Sequence, residues 1–330
     1  MASLHDVAKL AGVSKSTVSR VINHENGVKD STKKRVEAAI SEVGYMVNQV
    51  AKDLKQQRTN LIGVIVPRVS SHATSQGIDG ISATIEQAGK HVLLANTHQS
   101  HQKEIEYIQI FNQKRVEGII LYATHLDKFL VEAIQKSHAP VVVVGQDGSY
   151  SDIPSVIHDD MRVGYEAGRR LIQSGCSQVA FIGVQSDDVA VDGMRSLGLK
   201  RALDEYGLTL LCHVHSDFSI DSGQQGMEEI LNKSNEVDGV FCATDRLAVG
   251  AIKALVQANI RVGEQVKVLG VGNDELSKVC VPALSTFNYE FEKAGNYAAK
   301  MLLERINGQG NEMSKLVLSY QAVIRETCLS

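Results

Sequence analysis

The sequence predicts an α/β protein with a small all-α head, a hinge segment and a doubly wound body of two lobes. Three short amphipathic helices within the first 46 residues indicate the head. Apolar, β-branched runs alternate with helical segments after residue 60, and this pattern occurs twice in succession. Such alternation is typical of parallel sheets that are covered by helices on both faces. A chain of 330 residues is too long for one hydrophobic core, which agrees with this division.

Two helices joined by a tight turn open the head. Ser3 is the predicted N-cap of the first helix, which Gly12 ends. Ser14 is the predicted cap of a second helix over residues 15–22, whose apolar side chains face inward. This is the helix-turn-helix pattern, in which the second helix enters the major groove of DNA.

The charge of the chain is divided unevenly. Residues 1–58 hold ten Lys and Arg against six Asp and Glu, or +4, so the remaining residues carry −8 of the total of −4. A third helix, predicted over residues 32–43 with Asp30 or Ser31 as its cap, contributes several of these cations. A basic head on an acidic body suits phosphate binding without general attraction to nucleic acid. An ordinary three-helix domain with a solvated charged surface is the alternative.

Residues 7–23 carry a more specific pattern, VAKLAGVSKSTVSRVIN. It resembles the signature of the lactose and galactose repressor (LacI/GalR) family, and further matches follow at Arg35–Ile40, at Gly44-Tyr45 and in the body, so the resemblance covers nearly the full chain. In that family Lys15, Ser16 and Arg20 would read bases, and Thr17 and Ser19 would lie nearer the backbone. The full set of DNA contacts that the resemblance implies is Ser3, Lys15, Ser16, Thr17, Ser19, Arg20, Asn23, Asn48, Ala51 and Leu54.

The segment after the head resembles the hinge helix of the family. The pattern Asn48-x-x-Ala51-x-x-Leu54 implies that two such helices pair in a homodimer and push Leu54 into the minor groove, where Ala51 allows close approach. Val47 stands where the family usually has Pro, and Lys52 where it usually has Arg. Since Val47 removes a constraint that favours helix initiation, we expect the hinge helix to form mainly on DNA.

The body is predicted as two successive βα lobes. Its strands are expected at residues 61–66, 91–95, 116–122, 141–144, 155–157, 179–182, 210–213, 239–242 and 266–270, with one or two more within 316–325. Its helices are expected at residues 75–88, 103–114, 128–136, 161–173, 193–205, 222–232, 247–257 and 291–306. The predicted domains are a head of 1–46, a hinge and linker of 47–60, and a body of 61–330, with a first lobe of 61–159 and 291–320 and a second of 160–290 and 321–330.

Ligands of such sheets bind outside the carboxyl ends of the strands, so we expect a site between the lobes. The family resemblance likewise implies a periplasmic-binding-protein-like sensor with a hinged cleft. The loops after the strands nominate these ligand-binding residues: Arg68, Ser70, Asn96, Tyr122, Gln146, Asp188, Arg195, Thr244, Asp245 and Asn273.

Two arginines indicate the chemistry of the ligand. The segment from Arg195 to Leu199 is similar to the ligand-binding Arg-x-x-Gly-aromatic pattern of the family, and a guanidinium can bind vicinal sugar hydroxyls with two hydrogen bonds. A surface arginine at a helix start is the alternative. Arg68 directly follows the first strand, and Asn273 stands where many family members have Asp, which together favour an anionic ligand. The alternative for Arg68 is a salt bridge across the cleft.

These features predict a repressor that a sugar or sugar phosphate controls. Arg68 and Asn273 resemble the arrangement in trehalose-operon repressors, whereas residues 2–8 and 48–54 resemble bacterial sucrose-operon repressors. Sucrose 6-phosphate is therefore the first expected effector and trehalose 6-phosphate the second. The ligand is expected to release DNA as an inducer, although a corepressor that tightens DNA binding remains the alternative within the family. The expected partners are double-stranded operator DNA, the small ligand and a second copy of the chain.

Other classes of protein are less compatible with the sequence. A periplasmic sugar-binding protein would need a signal segment, and an enzyme would need a catalytic constellation that the motifs do not provide. The five cysteines are scattered, and His158-Asp159-Asp160 fits a strand-to-helix turn with an Asp cap better than a metal site. We therefore expect no cofactor, no metal and no membrane segment, and a cytoplasmic location.

Overall fold

The computed structural model describes the following residues: 3–23, 25–45, 59–185, 187–309 and 314–329. The chain divides into two compact units, a head of residues Met1–Thr59 and a body of residues Asn60–Ser330. The predicted hinge residues Asn48, Ala51 and Leu54 lie outside the described residues. Among the described helices, none combines the length and apolar character that crossing a membrane requires.

The head contains the helices α1 (Leu4–Ala11), α2 (Lys15–Ile22) and α3 (Asp30–Val43). The first helix begins as predicted, because the Asp6 N–H donates to the Ser3 hydroxyl and the Asp6 carboxylate accepts from the Ser3 N–H at 2.9 Å. It ends at Gly12, whose φ of 62° lies in the left-handed region that favours glycine.

The third helix begins two residues earlier than predicted. Its N-cap is Lys29, which is extended and makes no side-chain cap bond, so the prediction of Asp30 or Ser31 as the cap is wrong. Asp30 is instead the first helical residue, where a carboxylate suits the positive end of the helix dipole. The inward faces of the three helices form one small core of Val7, Ala8, Ala11, Val18, Val21, Val36 and Ala39.

The first lobe is built on a parallel sheet. Its described strands are β1 (Leu61–Val66), β2 (His91–Asn96), β3 (Gly118–Tyr122), β4 (Val141–Val144), β5 (Ser155–His158) and β11 (Lys315–Leu318). Their order across the sheet is β11-β5-β4-β3-β1-β2. Ile62, Val64 and Val66 point into one apolar cluster and Ile65 into another, which explains why the run of β1 is apolar throughout.

Helices cover both faces of this sheet. They are α4 (His72–Gln87), α5 (His101–Gln113), α6 (Lys128–Gln135) and, from much later in the chain, α12 (Phe291–Ile306). The α4 and α12 side chains Ile81, Ile85, Ala298 and Leu302 are fully buried in the same cluster as Ile62.

The second lobe repeats this design. Its described strands are β6 (Val179–Gly183), β7 (Cys212–His215), β8 (Gly239–Cys242), β9 (Lys267–Val271), β10 (Ser285–Tyr289) and β12 (Tyr320–Val323), in the order β12-β10-β9-β8-β6-β7. Its helices are α7 (Asp160–Gln173), α8 (Arg195–Asp204), α9 (Ile220–Lys233), α10 (Asp245–Gln257) and α11 (Glu275–Val279). A π-helical segment, Val189–Met194, precedes α8. The strand β12 is antiparallel to β10.

Several local predictions for this lobe were wrong. The strand β10 and the short helix α11 were not predicted, because both lie in a polar stretch with weak periodicity. The strand β7 runs two residues later than the predicted 210–213, since the apolar Leu210 and Leu211 contribute to the core from outside the strand. Helix α8 begins at Arg195, where the π-helical segment ends, instead of at residue 193.

The described chain passes between the lobes at three places. These are the connections from β5 to α7, from β10 to α12, and from β11 to β12. The first two meet at an aromatic group, in which the rings of His158 and Tyr289 stack with centroids 4.2 Å apart and Phe291 lies edge-on to both. The lobes are therefore joined by a packed crossing point beside the cleft.

Candidate functional site

The outer face and the end of α2 carry six of the side chains that were predicted to contact DNA, whereas Ser3 is the N-cap of α1. The first three of the following are exposed and the others half-buried: Lys15, Ser16, Arg20, Thr17, Ser19 and Asn23. The Ser14 hydroxyl accepts the Thr17 N–H at 3.1 Å and so fixes the start of α2. Arg20 lies 3.9 Å from Glu25, with 62% of its side chain exposed. Such a surface ion pair is weak, which leaves the guanidinium able to bind a phosphate or a base edge.

Arg35 ties the third helix to the turn between α1 and α2. Its Nη2 donates to the Ala11 carbonyl at 2.7 Å, at the negative end of α1. From the sequence, Arg35 was counted among the cations of the head that suit phosphate binding. In the structure its guanidinium instead binds the backbone of α1. The orientation of α2 therefore depends partly on a residue that faces away from its outer surface.

The body contains a cavity of about 190 Å³ between its lobes, at the carboxyl ends of the strands. Seven of the predicted ligand residues line it: Arg68, Tyr122, Gln146, Asp188, Arg195, Thr244 and Asp245. The lining also includes His158, Asp160, Phe218, Arg246, Tyr289 and Phe291, which the sequence reasoning did not nominate. Most of these come from the crossing point or from helix starts. Position after a predicted strand could have selected Arg246, next to Asp245, and also His158 and Asp160, which were considered only as a possible metal site or as a strand-to-helix turn.

Arg195 is buried, not on the surface, with 5% of the residue exposed. Its Nε and Nη2 both lie 2.7 Å from Asp160 Oδ1, and Nη1 donates to the Ala243 carbonyl. Tyr289 donates a third hydrogen bond to Asp160 Oδ1 at 2.9 Å. The charge is therefore compensated within the second lobe, in the arrangement that a buried cation requires.

The turn before α7 explains this pairing. The sequence predicted an Asp cap in this turn, and the cap is Asp159, which accepts the Arg162 N–H at 3.1 Å. The next residue, Asp160, points inward and is 7% exposed. One carboxylate of the predicted turn is thus a helix cap, and the other is the partner of Arg195.

Gln146 and Asp188 connect the lobes across the cavity. Gln146 Nε2 donates to Asp188 Oδ1 at 3.1 Å and lies 2.9 Å from the Thr124 carbonyl. Asp188 also caps the π-helical segment by accepting the Val191 N–H at 3.0 Å. Burial raises the pKa of Asp188 to about 6, because removing water disfavours the charged form more than these hydrogen bonds favour it.

Asp245 forms a second buried acid of the cavity. It accepts the Thr286 hydroxyl and, at 2.7 Å, the Asp274 N–H. Burial raises its pKa to about 6 as well. The preceding Thr244 caps α10 by accepting the Leu247 N–H at 3.4 Å. Both carboxyl groups therefore change from protonated to ionised near pH 6.

Arg68 lies on the opposite lobe and contacts Phe218 across the cleft. Its guanidinium carbon is 4.1 Å from the Phe218 ring centroid, which is a cation–π geometry. Burial, and next the nearby charge of Arg246, lower the pKa of Arg68, and Asp217 and Asp188 oppose this effect. Among the described residues neither Arg68 nor Arg246 has a carboxylate within salt-bridge distance, so the alternative of a salt bridge for Arg68 is not found.

Two polar atoms of the lining are buried without a hydrogen-bond partner in the described part of the chain, namely Tyr122 Oη and His158 Nε2. Tyr122 packs against Gly77, where a Cβ would lie 1.9 Å from the hydroxyl. Burial raises the pKa of Tyr122. Burial and the charge of Arg195 lower the pKa of His158 to about 3, so its ring is neutral near pH 7.

Three nominated residues do not line the cavity. Ser70 is exposed in a turn, and Asn96 Oδ1 accepts the His98 N–H at 3.2 Å. Asn273 has a φ of 53°, and its amide accepts from Arg325 Nη2 at 2.7 Å and donates to Asn288 at 3.3 Å. Position after a strand selected these residues, but it does not determine the direction of their side chains.

Comparisons with known proteins agree with this division of the chain. Residues 3–48 match the bacterial regulatory proteins of the lacI family, and residues 169–328 match a periplasmic binding protein-like domain. The HTH-type transcriptional regulator RegA of Clostridium saccharobutylicum is 32% identical over 330 residues, which are 99% of each chain. The sucrose operon repressor of Staphylococcus xylosus is 33% identical over 309 residues, or 94% of this chain and 95% of that one.

A solved structure of the lac repressor dimer, bound to operator and the anti-inducer ONPF, superposes with a TM-score of 0.93 at 27% identity, covering 100% of this chain and 99% of that one. The transcriptional regulator CelR in complex with cellobiose has a TM-score of 0.76 at 28% identity and covers 99% of this chain and 100% of that one. These matches confirm the predicted fold class. Since relatives more than 30% identical align with almost the whole chain, the protein belongs to the lacI family of bacterial transcription regulators and is not an enzyme.

Proposed function

We infer that this regulator represses a sugar-utilisation operon by binding operator DNA as a homodimer, and that a sugar phosphate in the cavity releases it. The helix-turn-helix head and the cavity between the lobes, into which several charged and polar side chains project, carry this proposal. The names of similar proteins support a sugar as the ligand and a dimer as the assembly. They include a sucrose operon repressor, a regulator in complex with cellobiose, and a lac repressor dimer bound to operator.

Binding to DNA is assigned to the exposed face of α2. Lys15, Ser16 and Arg20 would contact base edges, and Thr17 and Ser19 would contact phosphates. Two heads related by a two-fold axis match a near-palindromic operator. The residues Ser3, Asn23, Asn48, Ala51 and Leu54 complete the proposed DNA contacts.

The phosphate of the ligand is assigned to Arg68 and Arg246. Both line the cavity. Burial lowers the pKa of Arg68 most, and repulsion by the like charge of Arg246 lowers it further. An anion placed between them would relieve this repulsion and form charge-assisted hydrogen bonds. Sucrose 6-phosphate is the first candidate and trehalose 6-phosphate the second. The sugar hydroxyls would contact Gln146, Asp188, Arg195, Thr244 and Asp245.

The ligand acts through the arrangement of the lobes. Gln146 with Asp188, and Arg68 with Phe218, already connect the lobes across the cavity. A ligand that contacts both lobes changes the free energy of this closed arrangement relative to an open one. The closed arrangement with ligand would disfavour pairing of the hinge segments, so the operator is released.

Operator release tests the proposal. The purified protein is bound to a fluorescent DNA fragment from upstream of its own gene, and sucrose, sucrose 6-phosphate, trehalose and trehalose 6-phosphate are titrated separately. Arg68→Met and Arg246→Met are compared with Arg201→Met, which changes an exposed arginine of α8. We expect a phosphosugar but not its parent sugar to release the DNA. Each cavity variant should need about 10–100 times more ligand, since a hydrogen bond to a charged group contributes about 1.5–3 kcal/mol.

Three outcomes would overturn parts of the proposal. Release by the neutral sugar, with Arg68→Met unaffected, would contradict the phosphate assignment and leave the sugar assignment intact. Tighter DNA binding in the presence of ligand would instead make the ligand a corepressor. Failure of the protein to bind any fragment under low salt would contradict the assignment of the head.

A further inference from the structure

A cluster of two histidines and a buried aspartate lies in the second lobe, outside the set of residues assigned to the ligand. His213 Nε2 is 3.0 Å from Asp192 Oδ1, and His215 Nε2 is 3.6 Å from Asp192 Oδ2. The two imidazole rings stack, with centroids 4.2 Å apart. All three residues can place a ligand atom within 4.8 Å of the others.

The fold brings these residues together from two elements. His213 and His215 are two residues apart on β7, so their side chains emerge on the same face of the sheet. Asp192 lies on the π-helical segment Val189–Met194, next to that face. The predicted strand of residues 210–213 ended before His215, and the spacing of histidines in the sequence gave no indication of Asp192.

Gly183 at the end of β6 makes room for the cluster. A Cβ at this position would lie 1.9 Å from Asp192 Oδ1 and 2.6 Å from His213 Nε2. No side chain larger than hydrogen would leave these atoms where they are. Asp192 Oδ1 also accepts the Val184 N–H at 3.0 Å, which orients the carboxylate toward the imidazoles. The cluster is therefore built by the backbone of β6 as well as by its own side chains.

The donor set suits a divalent transition metal ion. Two imidazole nitrogens and one carboxylate oxygen are ligands that Zn²⁺ prefers, and three protein ligands leave a fourth tetrahedral position for water. Metal–ligand bonds of about 2.0–2.2 Å place tetrahedral ligands roughly 3.3–3.5 Å apart. The separations of 3.0 Å from His213 Nε2 to Asp192 Oδ1 and 3.6 Å from His215 Nε2 to Asp192 Oδ2 lie on either side of that range. The three ligand atoms lie within 4.8 Å of one another, so small side-chain rotations would bring them onto one ion.

Exposure changes across the cluster in the direction that such a site requires. The side chain of Asp192 is 6% exposed, that of His213 is 19% exposed and that of His215 is 47% exposed. A metal ion would thus enter from the His215 side and keep a water ligand there. The carboxylate would be shielded from solvent, which strengthens its attraction for a cation.

We propose that Asp192, His213 and His215 bind one divalent transition metal ion, with Zn²⁺ as the best fit. The ion replaces the hydrogen bond between His213 and Asp192. The single proton of the neutral His213 ring moves from Nε2 to Nδ1 by exchange with solvent, so the lone pair of Nε2 is free to bind the metal. Binding forms bonds from the metal to Nε2 of each histidine and to the carboxylate. The ion thereby holds the π-helical segment against β7.

A bound ion would also affect ligand binding in the cavity. This step rests on the proposed function. Ala190 and Val191 of the π-helical segment line the cavity, and Asp188 caps the segment. An ion that fixes Asp192 reduces the freedom of these residues. The effect is reciprocal, so ligand binding must change the metal affinity by the same factor that the metal changes the ligand affinity.

Zinc titration of the full-length protein tests the site directly. Any affinity tag is removed, the protein is treated with a chelator and then dialysed, and Zn²⁺ binding is measured by calorimetry without DNA or effector. His213→Asn and His215→Asn are compared with His91→Asn, an exposed histidine on β2. We expect one equivalent of Zn²⁺ for the native protein and the control, and at least about tenfold weaker binding in both cluster variants.

A second readout separates binding from a loss of folding. Zn²⁺ should raise the melting temperature of the native protein and of His91→Asn, but not that of His215→Asn, whose exposed side chain can be changed without disturbing the core. Equal Zn²⁺ affinity in His215→Asn and in the native protein, or no stoichiometric binding in either, would overturn the proposal. Either result would leave the proposed function untouched, because neither DNA nor effector takes part in the measurement.

Discussion

The two walls of the cavity differ in how their polar groups are satisfied. In the second lobe, Arg195, Asp160 and Asp245 each have hydrogen bonds or ion pairs from neighbouring side chains or backbone. In the first lobe, Tyr122 Oη and His158 Nε2 are buried without a partner in the described chain. A wall whose buried polar groups all have hydrogen bonds is stable without a ligand. Buried polar atoms without a hydrogen-bond partner instead raise the free energy of the conformation that contains them.

This contrast indicates which wall can rearrange. Breaking the second-lobe network would leave buried charges unpaired, at a high cost. Moving the first-lobe wall costs less, since Tyr122 Oη and His158 Nε2 have no hydrogen bonds to lose and could gain some. Among the described cavity residues, only the hydrogen bond from Gln146 to Asp188 crosses to the other wall. We therefore expect the second lobe to provide a fixed frame for a ligand, and the first lobe to adjust to it.

Replacing Arg195 should have the largest effect. Arg195→Met leaves Asp160 buried without its cation, and we expect the free energy of unfolding to fall by about 3–5 kcal/mol. Denaturant unfolding measures this loss, with the exposed Arg201→Met as control. The double variant Arg195→Met with Asp160→Asn should lose less than the single variant. A loss below about 1 kcal/mol for Arg195→Met would contradict the idea of a fixed second-lobe frame.

The pH dependence of Asp188 should be the next largest effect. Because burial raises its pKa to about 6, the folded state binds the proton more tightly than the unfolded state, and stability falls as pH rises from about 4 through 6. Asp188→Asn removes this penalty, so its stability relative to the native protein should increase by about 2 kcal/mol between pH 4.5 and 7. Unfolding curves at several pH values measure the difference.

The exposed neighbour Asp187 provides the control for this experiment. Asp187→Asn should follow the native protein at every pH. If Asp188→Asn followed it as well, Asp188 would be solvated in the folded state, and the bond from Gln146 would not enclose the cavity in the way described.

Removing the Tyr122 hydroxyl should have the smallest effect and, unlike the loss of Arg195, should not destabilise the protein. Tyr122→Phe deletes a buried hydroxyl that has no partner, so stability should be unchanged or increase by up to about 1 kcal/mol. Thermal unfolding in the absence of ligand measures it. Tyr289→Phe is the matched change in the other wall, and its loss of the bond to Asp160 should destabilise the protein. The comparison between the walls fails if both variants lose the same stability.

Much of the local structure was predictable because its causes lie close together in the chain. The capping box at Ser3 and the end of α1 at Gly12 depend on residues within one helical turn. The strand β1 follows from one continuous apolar run. The family signature of residues 7–23 determined the class of protein in the same way, because the residues that carry the signature are neighbours in sequence.

The pairings that organise the cavity depend on tertiary structure. Asp160 binds Arg195, which lies 35 residues later in the chain, and Tyr289, which lies 129 residues later. Asn273 was selected by its position after a strand, yet its amide binds Arg325 from the far end of the chain. No local spacing encodes these contacts, since the crossings between the lobes decide which side chains meet.

The sequence by itself therefore determined the helix-turn-helix head, the alternation of strands and helices, and the family. Only the tertiary structure decided that Arg195 is a buried, paired cation, that Arg68 contacts Phe218, and that Asp192 meets two histidines. The physical reason is that hydrophobic periodicity and capping act over a few residues. Burial and charge compensation instead depend on which distant segments the fold brings into contact.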